Sequence, residues 1–366
     1  MNFALNDSTV IYVAAPAKVA SGGSELLHQL AYHLRVDLGF KAYMYYLGGD
    51  LHDPVHPEYK SYGNPFVKQI VDDRNNILIV PETMDGVTSL AYFRNILKMI
   101  WWLSVDNFPI SYMFSRGLRV RPLRYIHLFF LVNKIARRIF GTEVVDLIDT
   151  IHNFVDDKAL VLRAFQELNV KHVDMHLCQS YYAMNFLNKL SINNVAYLSD
   201  YLNIEFLTHI VDNREKSNLV VFNPRKGAAS FICKIMSCLP DISFVPLQNM
   251  ARSEVINLFK RAKVYIDFGI HPGRDRPPRE AALLGCCVIV GERGAAANSF
   301  DVRIPNKYKF KVDKRTIPRV VETVENCLKN YEVVYHDFDE YREHIKSERD
   351  RFLKDLVAIF RKGARV

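Results

Sequence analysis

Residues 9–46, TVIYVAAPAKVASGGSELLHQLAYHLRVDLGFKAYMYY, decide the fold class of this chain. The run 9–14 is short, apolar and β-branched, which is typical of a buried strand. Apolar residues at helical spacing over 25–38 predict a helix that ends at Gly39, and 41–46 predicts a second strand. A strand, a glycine loop, a helix and a further strand together indicate a βαβ unit.

The same alternation continues along the chain and then begins again. Further strands are predicted in the first half at 77–80, 99–103, 176–178 and 195–198, and in the second half at 219–222, 242–246, 264–268 and 287–290. The sequence therefore predicts an α/β protein of two Rossmann-like domains facing a cleft. The predicted boundaries are a first domain over 1–205, a polar linker over 206–217, a second domain over 218–345 and a C-terminal helix over 346–366.

Composition excludes several protein classes. The chain has 366 residues, of which 49% are apolar, so it can bury two full-size cores, and disorder is excluded. Its six cysteines have no zinc-ligand spacing and indicate buried thiols in a reducing compartment. The N-terminus shows no signal-peptide pattern, and the apolar runs are far shorter than the ~20 residues that span a bilayer. We therefore expect a cytoplasmic protein.

The positive charge is concentrated in one segment. The net charge is +8, yet seven bases and no acid lie between Asp106 and Glu143, and the rest of the chain is nearly neutral. A nucleic-acid binder would spread its charge along a face or present aromatic stacking motifs, and neither pattern is present. On a helical wheel, basic residues within 114–140 fall on one stripe and apolar residues cover much of the rest, which suits an anionic membrane interface. An ordinary core helix with a basic edge is the alternative.

The first candidate site is the loop that opens the first helix, Ser21-Gly22-Gly23-Ser24-Glu25. Glycines allow a ligand to approach the backbone closely, and the N–H groups of a helix N-terminus attract phosphate or sugar oxygens. Gly22, Gly23 and Glu25 are therefore predicted to bind substrate. A tight turn capped by Ser24, without a ligand, is the alternative. The G-x-G-x-x-G spacing of a dinucleotide site is absent.

The second candidate site follows the first strand of the second domain, in Phe222-Asn223-Pro224-Arg225-Lys226-Gly227. Ligands of open α/β sheets bind beyond the carboxyl ends of the strands, where this loop is expected to lie. The two cations could hold a diphosphate, Arg225 in bidentate fashion and Lys226 as a point charge. Asn223 is predicted to line the same site. A solvated basic turn is the alternative.

The third candidate site is the most informative, DFGIHPGRDRPPREAALLGCCVIV over 267–290. A strand leads into an arginine-rich loop, and Glu280 is expected in the first turn of the helix that follows. A carboxylate there suits a ribose diol, while Gly273, Arg274 and Arg276 suit a departing diphosphate. A purely structural cluster of salt bridges is the alternative.

These three blocks resemble those of nucleotide-sugar-dependent glycosyltransferases of the GT-B fold, especially the branch marked by Glu-x7-Glu. The family's glycine-glycine-x-glutamate loop matches 22–25, its basic loop resembles 223–227, and its Pro-x-x-Glu-Ala block fits 277–289. The resemblance implies that the C-terminal helices pack back toward the first domain. It also implies that Glu280 binds the donor ribose. Pro272 stands where the family's first Glu would fall, so the role of that Glu does not carry over, and retention of anomeric configuration is an expectation.

The resemblance also implies how the reaction proceeds. Arg225 and Lys226 would stabilise negative charge on the β-phosphate as the glycosidic bond breaks, with no bound metal or cofactor. The first domain would hold the acceptor, where Asp106 ranks first, and Glu82 and His152 are further candidates to orient or deprotonate its hydroxyl. The lone Asp-x-Asp, at 337–339, is expected to be a solvated face.

The resemblance therefore implies a glycosyltransferase of bacterial surface-polysaccharide type, such as lipopolysaccharide or capsule assembly. Its partners would be a nucleoside-diphosphate sugar, a glycan or lipid-linked acceptor and, through 114–140, an anionic membrane surface at the inner face, with no nucleic acid. A catalytically silent GT-B assembly partner and a sugar-nucleotide epimerase are the alternatives. An NAD-dependent oxidoreductase is disfavoured because the dinucleotide fingerprint is missing.

Overall fold

The structure is a computed structural model, and it describes residues 5–49, 52–116, 128, 131–132, 158–209, 213–224 and 226–360. These residues divide into two compact units. The first contains the described residues of 5–115, 158–201 and 349–360. The second contains 116, 128, 131–132 and the described residues from 202 to 348. The chain therefore returns to the first unit at its C-terminal end.

The first unit is built on a parallel sheet. Within the described residues its strands are β1 (Val10–Pro16), β2 (Lys41–Leu47), β3 (Phe66–Val67), β4 (Ile77–Pro81), β5 (Leu97–Trp102), β6 (Met175–Cys178) and β7 (Val195–Tyr197), in the order β3-β2-β1-β4-β5-β6-β7. Its helices are α1 (Gly22–Val36), α2 (Met84–Ser89), α3 (Asn107–Arg116), α4 (Lys158–Glu167) and α5 (Tyr181–Lys189), with 3₁₀ turns at Pro57–Tyr62, Leu90–Tyr92 and Val170–His172. The sheet order reverses between β1 and β4, which makes that point a topological switch.

The second unit repeats this layout with fewer strands. Its described strands are β8 (Ser217–Phe222), β9 (Ser243–Pro246), β10 (Ala262–Asp267), β11 (Cys287–Gly291) and β12 (Lys309–Phe310), all parallel, in the order β12-β11-β10-β8-β9. Its helices are α6 (Ile204–Leu207), α7 (Ala229–Cys238), α8 (Arg252–Arg261), α9 (Arg276–Leu283), α10 (Ile317–Lys329), α11 (Tyr331–Val334) and α12 (Asp339–Lys346). Its 3₁₀ turns are Asn213–Glu215, Ala295–Ala297, Asn306–Tyr308, Lys314–Thr316 and Tyr335–Phe338. Here the switch lies between β8 and β10.

The last helix, α13 (Glu348–Phe360), confirms the predicted return of the C-terminus to the first domain. Phe352 and Leu356 are fully buried in the core of the first unit. The ring of Phe352 stacks on Trp101 at 6.4 Å between centroids and also contacts Tyr201 at 5.3 Å. Burying large aromatic side chains in this way is worth several kcal/mol on the scale of about 25 cal/mol per Å².

Two predicted helix starts are wrong. Helix α1 begins at Gly22 rather than at 25, and its cap is Ser21 rather than Ser24, because the Ser21 hydroxyl accepts the backbone N–H of Ser24 at 3.1 Å. Helix α9 begins at Arg276, so Glu280 lies in its second turn and not in its first. The prolines at 277 and 278 explain the earlier start, since proline is well tolerated in the first turn of a helix.

Candidate functional site

The two candidate loops of the second unit meet at its switch point. The basic loop 223–227 follows β8, and the loop 268–275 follows β10, its neighbour in the sheet. The backbone N–H of Ile270 donates to the carbonyl of Lys226 at 3.0 Å. Gly269 makes this approach possible, because a Cβ atom at position 269 would lie 2.2 Å from the Cβ of Lys226. The basic loop after β8 and the loop after β10 are therefore held in direct contact.

Lys226 lies between two carboxylates of that second loop. Its Nζ is 2.5 Å from Oδ2 of Asp275 and 3.6 Å from Oδ2 of Asp267. The Asp267 side chain is fully buried, whereas about a fifth of the Lys226 side chain is exposed. Asp275 stands at the N-cap of α9, but its carboxylate does not cap the helix. It is directed to Lys226 instead.

Neighbouring charges determine the protonation states of Lys226 and Asp275. Burial acts to lower the pKa of Lys226, but the carboxylates of Asp275 and Asp267 outweigh it, and the pKa is raised. Burial likewise acts to raise the pKa of Asp275, yet Lys226 and His271 bring it down to about 2. At neutral pH the site therefore holds the ammonium group of Lys226 beside the ionised carboxylate of Asp275.

Two buried rings complete this cluster. The Tyr265 hydroxyl donates to Oδ2 of Asp267 at 2.9 Å, and the backbone N–H of Gly269 donates to Oδ1 of Asp267 at 3.2 Å. His271 is fully buried, and its Nδ1 lies 2.8 Å from Oδ2 of Asp275, outside good hydrogen-bond geometry. Asp267, His271 and Asp275 are spaced four residues apart, and that spacing was the one sequence signal by which this cluster could have been found.

The start of α7 adds backbone donors beside Lys226. The helix begins at Ala229 after Ala228, whose backbone is left-handed at φ +60 and whose methyl side chain cannot cap the helix. Ala229 and Ser230 are exposed. A helix N-terminus of this kind favours anions, so a partly exposed ammonium group and a positive helix end lie at one edge of the sheet. Asn223 is nearly buried at the start of the same loop.

Arg274 forms a buried salt bridge with Glu348. Its Nη2 lies 2.5 Å from Oε1 of Glu348, and Nη1 of Arg279 lies 2.8 Å from Oε2 of the same carboxylate. Arg279 also donates from Nη2 to the carbonyl of Arg274 at 2.9 Å. All three side chains are buried. Of the two interpretations of this loop, the structural salt bridge describes Arg274.

The other predicted donor-site residues lie just before α9 or in its first two turns. Gly273 is buried in the loop, Arg276 is half-buried at the first position of the helix, and Glu280 is 8% exposed in the second turn. Arg225, and His152 in the first half of the chain, lie outside the described residues. So does most of 114–140.

In the first unit the glycine loop also lies at a switch point. Gly22 and Gly23 are half-buried in the first turn of α1, next to the end of β1. A Cβ atom at Gly23 would meet Cδ1 of Leu103 at 3.5 Å, an ordinary van der Waals distance. The fold thus tolerates a side chain at 23. Glu25 is buried and accepts the Tyr62 hydroxyl at 3.0 Å.

Glu82 holds the loop that follows β5. It follows β4, and its two carboxylate oxygens accept the backbone N–H groups of Leu103 and Ser104, each at 3.0 Å. Burial raises the pKa of Glu82 to about 7, although these amide hydrogen bonds and Asn107 oppose the shift. Asp106, the first-ranked acceptor-side residue, is buried just before α3 and accepts the Tyr182 hydroxyl at 3.1 Å. Glu82 is thus hydrogen-bonded to the loop after β5, and Asp106 lies in that same loop.

Within the described residues, no three or more His, Cys, Asp or Glu side chains are grouped to hold a metal ion. At 337–339, Asp337 pairs with Lys307 at 2.7 Å and Asp339 with His336 at 2.8 Å. Among the described helices, none combines the length and apolarity needed to cross a bilayer.

Comparison with solved structures identifies the fold. A sucrose-phosphate synthase from Thermosynechococcus elongatus is 12% identical, with 96% of this chain and 98% of that chain covered and a TM-score of 0.57. HepE of Anabaena, in complex with UDP and glucose, gives the same identity, coverages and TM-score. This chain has the GT-B fold. At 12% identity these likenesses bear on the fold alone.

A more distant likeness is to a variant of TarM from S. aureus in complex with fondaparinux, alpha-GlcNAc-glycerol and UDP. The identity is 11% and the TM-score 0.51, with 80% of this chain covered. This chain spans 56% of the length of that TarM chain. No protein-family profile and no curated protein sequence matches this chain.

Proposed function

We propose that this protein is a glycosyltransferase that moves a sugar from a nucleoside diphosphate to an acceptor hydroxyl. The observation that carries the proposal is the meeting of Lys226 with the 268–275 loop at the switch point between β8 and β10. Open α/β sheets bind their ligands at that place. UDP and glucose in HepE, a chain of the same fold, make a nucleotide sugar the ligand of choice.

The reaction needs charge stabilisation at the leaving group. The bond between the anomeric carbon and the β-phosphate oxygen breaks, the acceptor oxygen bonds to that carbon, and the acceptor's proton is released. Negative charge grows on the diphosphate, and we propose that Lys226 and the N-terminus of α7 stabilise it. Arg225, the neighbour of Lys226 in sequence, is proposed to assist, and Glu280 to bind the ribose hydroxyls.

The diphosphate has to compete with Asp275. Asp275 holds the place on Lys226 that a phosphate oxygen would take. The dianionic ligand would approach two carboxylates, so we propose that it displaces Asp275 from Lys226 and leaves the Asp275 side chain to His271. Asp267 stays with its own donors, Tyr265 and Gly269.

The finer features of the reaction are proposed on the family resemblance. We propose that transfer retains the anomeric configuration and needs no metal. The acceptor is proposed to be a glycan or lipid-linked glycan of a cell-surface polysaccharide, held by the first unit near Gly22, Gly23 and Asp106. Asp106, already hydrogen-bonded to Tyr182, would orient the acceptor hydroxyl.

The proposal is tested by donor hydrolysis and transfer. The protein is incubated with UDP-, GDP-, ADP- and CMP-linked sugars and a mixture of glycan acceptors, and release of the free nucleotide is measured. Release from one donor class, lost in a Lys226 variant, supports the proposal. No release from any donor, with NAD binding instead, would overturn it.

A catalytically silent GT-B protein is a second candidate. The observation that favours it is the pairing of Lys226 with two carboxylates, together with Pro272 in place of the family's first Glu. Such a protein would bind a sugar nucleotide but would not turn it over. Binding without nucleotide release over hours would therefore select this candidate over the enzyme.

We also propose that 114–140 contacts an anionic membrane. In the described part of this segment, the side chains of Phe114, Leu128 and Leu131 are exposed by 49, 53 and 54%. Exposed apolar residues within a basic stretch favour an interfacial position. Flotation with phosphatidylglycerol vesicles tests this, and failure to float at low salt would contradict it.

A further inference from the structure

Lys226 and His271 lie against the same oxygen atom of Asp275. Nζ of Lys226 is 2.5 Å from Oδ2 of Asp275, and Nδ1 of His271 is 2.8 Å from that same oxygen. The Asp275 side chain is 18% exposed, whereas the imidazole of His271 is fully buried. One carboxylate oxygen therefore lies between an ammonium group that a ligand can reach and an imidazole that it cannot reach.

Both ring nitrogens of His271 face oxygen atoms. Nδ1 lies beside Asp275 and, within the described residues, forms no hydrogen bond of good geometry. Nε2 lies 3.4 Å from the backbone carbonyl oxygen of Asp267 and 3.7 Å from Oδ1 of the same residue. A neutral imidazole carries one N–H group, whereas an imidazolium carries two. The neutral ring therefore leaves one lone pair against an oxygen, and only the charged ring can donate on both sides.

The charges nearest to this ring act in opposite directions. Asp267 and Asp275 favour a proton on His271, because a negative charge close by stabilises the charged form of an imidazole. The ammonium group of Lys226 lies on the same oxygen of Asp275 and disfavours that proton. Whatever neutralises Lys226 therefore strengthens the hold of His271 on a proton.

The other groups around the cluster leave His271 as the one that responds. The Tyr265 hydroxyl of β10 donates to Asp267, and burial holds the pKa of Tyr265 well above its ordinary value. Glu280 of α9 is a further acid whose charge acts on Tyr265. The loop after β11 reaches His271 through its backbone, since the N–H of Ala295 donates to the His271 carbonyl at 2.7 Å. Imidazole is the side chain that ordinarily changes charge between about pH 5 and 8.

We propose that His271 is a positioning residue that gains a proton when a sugar nucleotide binds and so draws Asp275 away from Lys226, an inference that rests on the proposed function. A phosphate oxygen on the ammonium group of Lys226 offsets the charge that opposes this proton. The proton comes from solvent and is held on Nδ1 of His271, from which it is donated to Oδ2 of Asp275. Nucleotide binding and protonation of His271 thus favour one another.

This linkage has a definite sign. A ligand that binds together with one proton binds more tightly at low pH, and its affinity falls by up to about tenfold per pH unit as pH rises. A sugar nucleotide is the suitable probe, because both phosphates of its diphosphate are esterified and carry no proton that titrates near neutral pH. The terminal phosphate of a free nucleotide does titrate there and would obscure the proton taken up by the protein.

The inference is tested by calorimetric titration of the full-length protein with UDP-, GDP- and ADP-linked sugars. Each titration is repeated in buffers of different ionisation enthalpy between about pH 6 and pH 9, across the range in which an imidazole changes charge. The dependence of the measured heat on the buffer gives the number of protons taken up. We expect an uptake of about one half to one proton at the pH where it is largest, together with an affinity that falls as pH rises.

Two variants locate the proton. Asp275→Asn removes the carboxylate that Lys226 and His271 share, and His271→Asn keeps an amide donor but has no group that titrates. Proton uptake should be lost in both. Asp275→Asn should also bind the sugar nucleotide about tenfold more tightly than the wild type at about pH 8, because no carboxylate competes for Lys226. The matched control is His336→Asn, which removes an exposed imidazole 2.8 Å from Asp339 in the same unit and should leave the uptake unchanged.

Histidine ring spectra of the wild type give a second readout that does not need the buried position to be changed. With ¹³C-labelled histidine at about pH 8, one imidazole should convert to its charged form when the sugar nucleotide is added, and this conversion should be absent in Asp275→Asn. The inference is overturned if the nucleotide binds without proton uptake at every pH, if His271→Asn takes up as many protons as the wild type, or if no imidazole changes charge.

The failure of this inference can be distinguished from the failure of the proposed function. Binding of a sugar nucleotide without proton uptake contradicts the role of His271 and leaves the proposed function standing. No binding of any sugar nucleotide contradicts both.

Discussion

The Nζ atom of Lys226 lies 2.5 Å from Oδ2 of Asp275, and this pair joins the loops after β8 and β10. The pairing has two consequences. It keeps the lysine charged, because it raises the pKa of Lys226 despite burial. It also means that loss of the ammonium group alone leaves the carboxylates of Asp267 and Asp275 without their counter-charge. The cost is at most about 3–5 kcal/mol, which is the value for a fully buried pair.

A double variant separates the folding role of Lys226 from its ligand role. Lys226→Met/Asp275→Asn removes both charges of the pair, so its stability should stay closer to that of the wild type than the stability of Lys226→Ala. Its affinity for a nucleoside diphosphate should fall by about 10- to 100-fold, the value of one charge-assisted hydrogen bond. Calorimetric titration measures this.

The matched control is Lys234→Ala, which removes an exposed lysine of α7 in the same unit. It should leave nucleotide affinity unchanged. Equal affinity in the double variant and the wild type would remove Lys226 from the site.

Gly23→Ala should separate stability from activity. The new methyl group meets Leu103 at an ordinary distance, and alanine suits a helix better than glycine. The free energy of unfolding should therefore stay the same or rise by up to about 1 kcal/mol. Sugar transfer should fall, because the methyl group occupies space proposed for substrate.

Gly86→Ala is the contrasting control in the same unit. A Cβ atom at Gly86 would lie 2.4 Å from the carbonyl oxygen of Pro81, so this variant should be destabilised. Chemical denaturation and a transfer assay on both variants check the pair. Full activity in Gly23→Ala would argue against a ligand at that loop.

Glu82 should give stability a specific dependence on pH. Its pKa is about 7 in the folded protein against 4.5 ordinarily, so between these values the folded state keeps a proton that the unfolded state releases. Stability is therefore lost as pH rises through this window, by about 1.4 kcal/mol per pH unit at most. Buried His28, His33 and His176 act in the opposite sense, because their pKa values are lowered and their protonation below pH 6.5 favours unfolding.

The variant Glu82→Gln isolates the contribution of Glu82 to the pH dependence of stability. The histidines are common to both proteins, so the difference in free energy of unfolding between wild type and variant should move in favour of the variant from pH 4.5 to 7. A pH-independent offset is also expected, since the amide can accept only one of the two backbone N–H groups. A difference that does not change with pH would show that Glu82 titrates normally.

Glu348 should be essential for the stability of the second unit. Glu348→Ala leaves the guanidinium groups of Arg274 and Arg279 buried without their carboxylate and should cost about 3–5 kcal/mol. Glu343→Ala, which breaks an exposed pair with Lys346, should change stability by less than about 0.5 kcal/mol. Urea denaturation of both variants measures the contrast, and equal values would contradict it.

The sequence predicts the sheets well and the contacts between loops poorly. Short, wholly apolar runs such as 77–80 and 287–290 reappear as β4 and β11. Such strands can be predicted because a parallel strand buried on both faces is apolar along its whole length. The two-residue strands β3 and β12 are too short to show a pattern. The glycine and basic loops are predicted at the right ends of strands, since strand direction follows from the βαβ order.

The partners within the candidate site depend on distant residues. The sequence predicts Arg274 to bind a ligand, but its carboxylate partner Glu348 is 74 residues away, where no local pattern reveals it. The pairing of Lys226 with Asp275, 49 residues on, is hidden for the same reason. Arg276 and Glu280 lie in the first two turns of α9, which follows Asp275, and their ligand roles remain predictions.

The most direct test of the central claim is calorimetric titration of the full-length protein with UDP-, GDP-, ADP- and CMP-sugars and with NAD, in parallel with Lys226→Met/Asp275→Asn. We predict saturable binding of at least one sugar nucleotide to the wild type, binding weakened at least tenfold in the double variant, and none of NAD. Binding of NAD alone, or equal binding of the sugar nucleotide by both proteins, would contradict the account.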